Sequence, residues 1–350
     1  MTGPETLRAV RRTSTGAELV EIPARTPGPG QVRLDVLAAG VCHSDLHVVD
    51  APVAWELPFT LGHEVCGRVA EAGAGVDPGL RGQQVVVYAP YGCGDCARCR
   101  SGAANYCDHR RTLPAAGIGL GIDGGMADEL VVDAWRLVPA EGLDPAFAAA
   151  LTDAGLTSFH AVSGSLDRLD HPDAVAVVIG VGGLGHLAVG ILRQLTEARV
   201  IGVDSRAEAV ALARECGATA AVSPDEAVDV VARVSEGRGA DVVIDCVGAQ
   251  ATEELAASVL RPAGDLVIVG SGGGALTLAK PGLLPSGARV RLPFWGTRPE
   301  LVELVDLARA GGVHTRITEF GLGEALSVFD DLRRGRITGR AVLAAAGRQA

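Results

Sequence analysis

Lysine is almost absent from this 350-residue chain: Lys280 is the only one, so arginine carries nearly all the positive charge. That deficit reads as the codon bias of a GC-rich genome and says nothing of function. Basic residues are also the minority, 31 against 42 acidic, and the net charge of −11 argues against nucleic acid and anionic membrane surfaces as partners. Met1 to Val10 lacks the apolar core of a signal peptide. There is no internal repeat and no low-complexity linker. An uninterrupted apolar run is missing too: Ala174–Leu192 is nearly all apolar, but Gly180, Gly182, Gly183, Gly185 and Gly190 break it. A buried strand, a glycine turn and a buried helix are expected there rather than a membrane span. Without a leader, the eight cysteines point to a reducing, cytoplasmic compartment, where clustered cysteines serve more often as metal ligands than as disulfides.

What is present divides the chain in two. To about residue 150 the sequence is rich in glycine, proline and short β-branched runs. Gln31–Leu37, Gly67–Ala72 and Gln84–Tyr88 read as strands separated by turns such as Pro27-Gly28-Pro29-Gly30, which predicts an antiparallel, barrel-like domain. From Ala174 apolar strands (Ala174–Gly180, Arg199–Asp204, Asp241–Val247, Asp265–Gly270) alternate with helical patterns such as Glu208–Cys216. That alternation predicts an α/β domain with a doubly wound parallel sheet. A last helical stretch, Glu300–Ala310, leads into Phe320–Leu343. The expected division is residues 1–150 with 297–350 as one domain and 151–296 as the other.

Four cysteines lie within fifteen residues, Cys93, Cys96, Cys99 and Cys107, spaced C-x2-C-x2-C-x7-C. Two-residue gaps let thiolates converge on one ion, and a closed four-sulfur shell leaves no open position, so the metal of the lobe 91–108 is structural. The spacing alone does not separate zinc from iron.

Gly180-Val181-Gly182-Gly183-Leu184-Gly185 follows an apolar strand and opens a helical run. In that setting G-x-G-x-x-G is a dinucleotide loop: the first glycine makes the tight turn, the second admits the pyrophosphate, and the third lets helix and strand pack closely. The helix N-terminus adds unpaired N–H groups for the phosphates. Asp204 ends the next strand, nineteen residues after Gly185, where a carboxylate accepts from the ribose hydroxyls and repels a 2′-phosphate. This favours NAD over NADP, although Arg206 stands close enough to blur the preference.

Two further segments gain weight from this company: Cys42-His43-Ser44-Asp45, expected in a turn after a strand, and Gly62-His63-Glu64, just before another. Gly62-His63-Glu64 with Gly67, Gly73 and Val76 resembles the zinc signature of medium-chain alcohol dehydrogenases, and the cysteine lobe is similar to that family's structural-zinc loop. The likeness runs over essentially the whole chain. It is strongest to bacterial NAD-dependent secondary-alcohol dehydrogenases, through Leu151–Thr157 (Leu-Thr-Asp-Ala-Gly-Leu-Thr) and Phe294-Trp295-Gly296-Thr297-Arg298.

The resemblance implies a GroES-like catalytic domain, a Rossmann domain for NAD, and two zinc ions per chain. It implies Cys42, His63 and Asp153 as catalytic-zinc ligands, with an aspartate where many relatives carry cysteine. Zinc accepts a carboxylate oxygen, and thiolate plus carboxylate balance its charge; the other reading of Asp153 is a helix N-cap. Asp45 is then expected to orient His63, and Glu64 to stand near the metal. Ser44 is the first proton carrier and His47 the outer one, with His43 bordering the site. Arg340 contacts the pyrophosphate, and Trp55, Leu120, Phe294 and Trp295 wall the substrate. The expected activity is reversible oxidation of an alcohol, secondary by preference, to a ketone or aldehyde. The alternatives are a polyol or sugar dehydrogenase with a polar pocket, and a catalytically silent NAD- or zinc-binding protein. The resemblance also implies a homo-oligomer, tetramer or dimer.

Overall fold

The computed structural model of the chain describes residues 6–344; positions 1–5 and 345–350 of the expected catalytic domain lie outside it. Two compact units are present.

The first unit comprises the chain up to Asp153, Thr297–Arg309, and the chain from Arg316 on. Its main sheet runs in the order Leu137–Pro139, Gln84–Val87, Glu64–Ala72, Gln31–Val41, Arg340–Ala344, Ile317–Gly321, and Glu129–Asp133 also pairs with Gln31–Val41. In Gln31–Val41, the residues Val32, Leu34 and Val36 are buried, as a period of two requires of a strand with one face on the core. All its pairings are antiparallel except Ile317–Gly321 with Arg340–Ala344, which are parallel. A smaller sheet is formed by Gly16–Pro23, Thr6–Thr13 and Phe59–Thr60, and Gly117–Ile118 pairs with Gly121–Ile122 in a two-stranded one. The strand expected to reach Tyr88 stops at Val87.

Helix Pro145–Ala150 begins on Asp144, whose carboxylate accepts from the N–H groups of Ala146 and Phe147 at 2.9 and 3.1 Å, with proline in the first turn. It passes directly into a π-helical turn, Leu151–Gly155. Asp153 sits inside that turn, so it does not cap a helix.

The second unit comprises Ala154–Gly296 and Ala310–Thr315. Its six strands are parallel, in the order Ala220–Val222, Arg199–Val203, Val175–Ile179, Ala240–Asp245, Leu260–Ile268, Arg289–Arg291. By position along the chain this is 3-2-1-4-5-6, the doubly wound order with its switch point beside the first strand. Val175, Ala176, Val177 and Val178 are all buried, as expected of a strand covered on both faces. The apolar stretch from Ala174 resolves into the strand Val175–Ile179, a turn and the helix Gly185–Leu195. Among the described residues no helix is long and apolar enough to cross a membrane.

Candidate functional site

Cys42 ends the long strand Gln31–Val41 in extended conformation, and the chain turns at once into helix His43–Asp50. The segment expected as a turn is thus a helix start. Asp45, fully buried, closes it: one carboxylate oxygen accepts from the Cys42 N–H at 2.9 Å, and the other lies 3.3 Å from His63 Nδ1. With Nδ1 held there, Nε2 of His63 is the nitrogen turned to the cluster, 3.4 Å from Asp153 Oδ2. Asp153 Oδ2 is also 3.5 Å from Cys42 Sγ, although 111 residues separate the two. The π-helical turn explains this reach: its extra residue displaces one side chain from the helical register, a distortion often found at functional sites.

Ligand atoms of Cys42, His63, Glu64 and Asp153 all lie within 4.8 Å of one another, and all four residues are buried. Glu64 pairs with the guanidinium of Arg340, itself buried, which neutralises it. Burial raises the Glu64 carboxyl to about 7 against the pull of Arg340. Burial also opposes charge on His63, but Asp45, with Asp153 and Cys42, raises its pKa well above the ordinary imidazole value. Glu64 Oε2 is buried with no hydrogen-bond partner among the described residues. Buried anions crowded in this way demand a cation. Among the four ligand residues, with Glu64 offset by Arg340, one thiolate and one carboxylate are left to face a divalent ion, while the Asp45 carboxylate is engaged by the Cys42 N–H and His63. Sulfur, nitrogen and oxygen donors together suit zinc.

Gly40 was not anticipated as a site residue. It lies opposite Glu64 in the antiparallel pair, and only a residue without Cβ leaves room for that carboxylate. A glycine inside an apolar strand signals such a close approach. Arg340, expected at the pyrophosphate, pairs with Glu64.

The cysteine lobe forms a second cluster. Cys93 and Cys99 sulfurs are 4.0 Å apart, as are those of Cys96 and Cys107. Four sulfurs tetrahedral about zinc lie about 3.8 Å apart. Backbone N–H groups of Cys93, Cys96, Cys99 and His109 each donate to a cluster sulfur at 3.4 Å. Such donors lower the Cys96 thiol to about 6, while burial pushes Cys99 up to about 12. Of the remaining cysteines, Cys66 is buried, and Cys216 and Cys246 are only partly so.

In the second unit, Gly180 adopts φ +83, and a Cβ on Gly185 would meet the Gly180 carbonyl oxygen at 2.0 Å, so both fingerprint positions require glycine. Asp204 braces this loop: Oδ2 accepts from the Val181 N–H at 2.9 Å, and Oδ1 accepts from the Arg206 N–H at 2.9 Å and its Nε at 3.4 Å. Arg206 also lies near Gly182, its Nη2 3.6 Å from where a Cβ would stand.

Ser44 Oγ is 3.7 Å from Cys42 Sγ, whereas His43 and His47 are exposed on the same helix. Trp55 packs edge-on against Phe59 at 6.1 Å, and Leu120 is buried in the same unit. In the second unit Phe294 packs edge-on against Trp295 at 5.0 Å.

Residues 28–142 match the alcohol dehydrogenase GroES-like domain, and residues 183–310 the zinc-binding dehydrogenase domain. An NAD-dependent alcohol dehydrogenase of Sulfurisphaera tokodaii is 34% identical, over 96% of this chain and 99% of its own. The alcohol dehydrogenase of Aeropyrum pernix superposes with a TM-score of 0.88 at 32% identity, covering 97% of this chain and all of the other. The acetophenone reductase of Geotrichum candidum, solved with NAD, gives 0.85 at 32%, covering 98% of each chain.

Proposed function

The chain belongs to the zinc-dependent medium-chain alcohol dehydrogenases, and from that premise we propose that it oxidises a secondary alcohol reversibly to a ketone, with NAD as hydride acceptor. The observation that carries this reading is the convergence of Cys42, His63 and Asp153 on one buried point, with Glu64 already compensated by Arg340. The glycine loop at the switch point and the similar NAD-dependent dehydrogenases support the cofactor.

Cys42, His63 and Asp153 hold the catalytic zinc, and Cys93, Cys96, Cys99 and Cys107 the structural one. When bound, zinc supplies a Lewis acid for the alcohol oxygen, and NAD supplies the hydride acceptor. Asp45 keeps Nε2 of His63 directed at the metal site by occupying Nδ1. Ser44 would accept the proton that leaves the alcohol while passing its own on, by way of the cofactor ribose, to the exposed His47, which would release it to water. Asp204 orients the glycine loop and presents its carboxylate to the ribose. Gly182, Gly183, Leu184 and Arg206 complete the cofactor site. Trp55, Leu120, Phe294 and Trp295 are the proposed substrate contacts, and their apolar character supports a ketone over a polyol.

A homo-oligomer, tetramer or dimer, is supported by the outer strand Arg289–Arg291, which among the described residues pairs on one side only and is followed by the exposed Leu292. A cytoplasmic location suits eight cysteines of which none is disulfide-bonded among the described residues.

Zinc counting combined with a substrate panel tests the whole reading. Two zinc ions per chain and faster NADH-dependent turnover of simple ketones than of sugars are expected. A marked preference for sorbitol or glucose would make the protein a polyol dehydrogenase. NADH binding without turnover of any small carbonyl would make it a silent member of the family.

A further inference from the structure

His186 is fully buried in the first turn of helix Gly185–Leu195. Its Nδ1 lies 2.7 Å from the carbonyl oxygen of Gly182, and its Nε2 lies 2.5 Å from the hydroxyl of Thr315. A carbonyl oxygen only accepts, so Nδ1 must carry the proton and donate. In the neutral ring Nε2 is then the acceptor, and Thr315 donates to it. The Gly182 carbonyl therefore sets the tautomer, and the Thr315 hydroxyl at the other nitrogen fixes the orientation of the imidazole. The backbone N–H of His186 donates to the same Gly182 oxygen at 3.3 Å, so one residue holds that carbonyl twice.

Gly182 is the middle glycine of the dinucleotide loop, the one whose peptide lies nearest the phosphates. The Gly182–Gly183 peptide is trans, and across a planar trans peptide C=O and N–H point in opposite directions. A Gly182 carbonyl tied toward the body of the helix therefore turns the Gly183 N–H the other way, out of the N-terminal end, where unpaired donors meet an anion. Glycine peptides resist rotation least, so a tether matters most at this point.

We propose that His186 is a positioning residue for the cofactor: held by Thr315, it pins the Gly182 carbonyl and so pre-orients the Gly183 N–H for the NAD pyrophosphate. The proposal rests on the reading of the glycine loop as the NAD site. It makes no demand on the chemical step.

The test is NADH titration, followed by nicotinamide fluorescence, of the zinc-loaded wild type and of His186→Leu, His186→Asn and Thr315→Val. Asparagine can still donate to the Gly182 carbonyl from near the Nδ1 position, whereas leucine keeps bulk without a donor. His186→Leu should raise the Kd for NADH roughly tenfold or more. His186→Asn should stay within about threefold of wild type, and Thr315→Val should fall between. A general loss of packing would not be rescued by asparagine, so the contrast isolates the hydrogen bond. Should the leucine variant fail to fold, the asparagine and valine variants decide. A wild-type Kd in His186→Leu or Thr315→Val, or an asparagine variant far weaker than that range, would overturn the proposal. A wild type that does not bind NADH at all would instead sink the cofactor reading.

Discussion

Gly40 and Glu64 face each other across two antiparallel strands, and a Cβ on Gly40 would come within 2.0 Å of Glu64 Oε2 and 2.8 Å of its Cβ. The carboxylate beside the metal site owes its place to the missing side chain. Gly40→Ala should therefore expel Glu64 and break its pair with Arg340. Overpacking of this kind costs about 1–3 kcal/mol, and freeing a buried charge adds to it. Thermal unfolding should show the loss and zinc analysis a weakened catalytic ion. Unchanged melting with two zinc ions retained would contradict the crowding.

Asp153→Asn keeps the size of the side chain and removes its charge. The π-helical turn and the structural zinc should survive, while the catalytic ion is held more weakly and turnover falls by about 100-fold or more. Zinc stoichiometry near one per chain with a wild-type circular dichroism spectrum is the expected pair of readings. Full activity with two zinc ions would remove Asp153 from the ligand set.

Asp204 has two jobs, bracing the Val181 N–H and presenting negative charge. Asp204→Ala should raise the KM for NAD and lower the ratio of kcat/KM with NAD to that with NADP. Hydrogen bonds to a charged group are worth about 1.5–3 kcal/mol, which corresponds to roughly 10–150-fold. An unaltered cofactor ratio would refute its role in discrimination.

The cysteine lobe should hold its zinc independently of catalysis. Cys107→Ser removes one of four sulfurs and the acceptor for the N–H groups of Cys93 and His109. Loss of one zinc per chain is expected, with a melting temperature lower by about 5 °C or more. Retention of both ions would show that the lobe is not a four-sulfur site.

Asp50 ends the helix that carries Ser44 and His47, and Arg333 grips it through two nitrogens at 2.6 and 3.0 Å. The hydrogen bonds from Arg333 hold the Asp50 carboxyl below its ordinary range. A depressed carboxyl contributes stability above its unfolded pKa, near 4, and loses it as the pH falls through the lower folded value. The pair is largely exposed, so Asp50→Asn should cost at most about 1 kcal/mol at neutral pH. That difference should shrink in denaturant titrations as the pH falls below about 4 and vanish below the depressed folded value. A gap that widened in acid would reverse the sign of this linkage.

What the sequence by itself determined is what is local in the chain. The four cysteines within fifteen residues, and the glycine fingerprint between an apolar strand and a helix, carry their geometry in their spacing. Alternating strand and helix patterns likewise implied the parallel sheet. The metal ligands were legible only through family resemblance, since Cys42 and Asp153 are 111 residues apart and no spacing rule joins them.

Tertiary structure decided the long-range pairings: Glu64 with Arg340, 276 residues on, and His186 with Thr315, 129 residues on. It also decided that Asp153 sits in a π-helical turn, that Cys42 precedes a helix, and that the last two strands of the first unit run parallel. The physical reason is that periodicity records which side of an element is buried, but not which other element covers it. A buried charge reveals its partner only once the strands that carry both have paired.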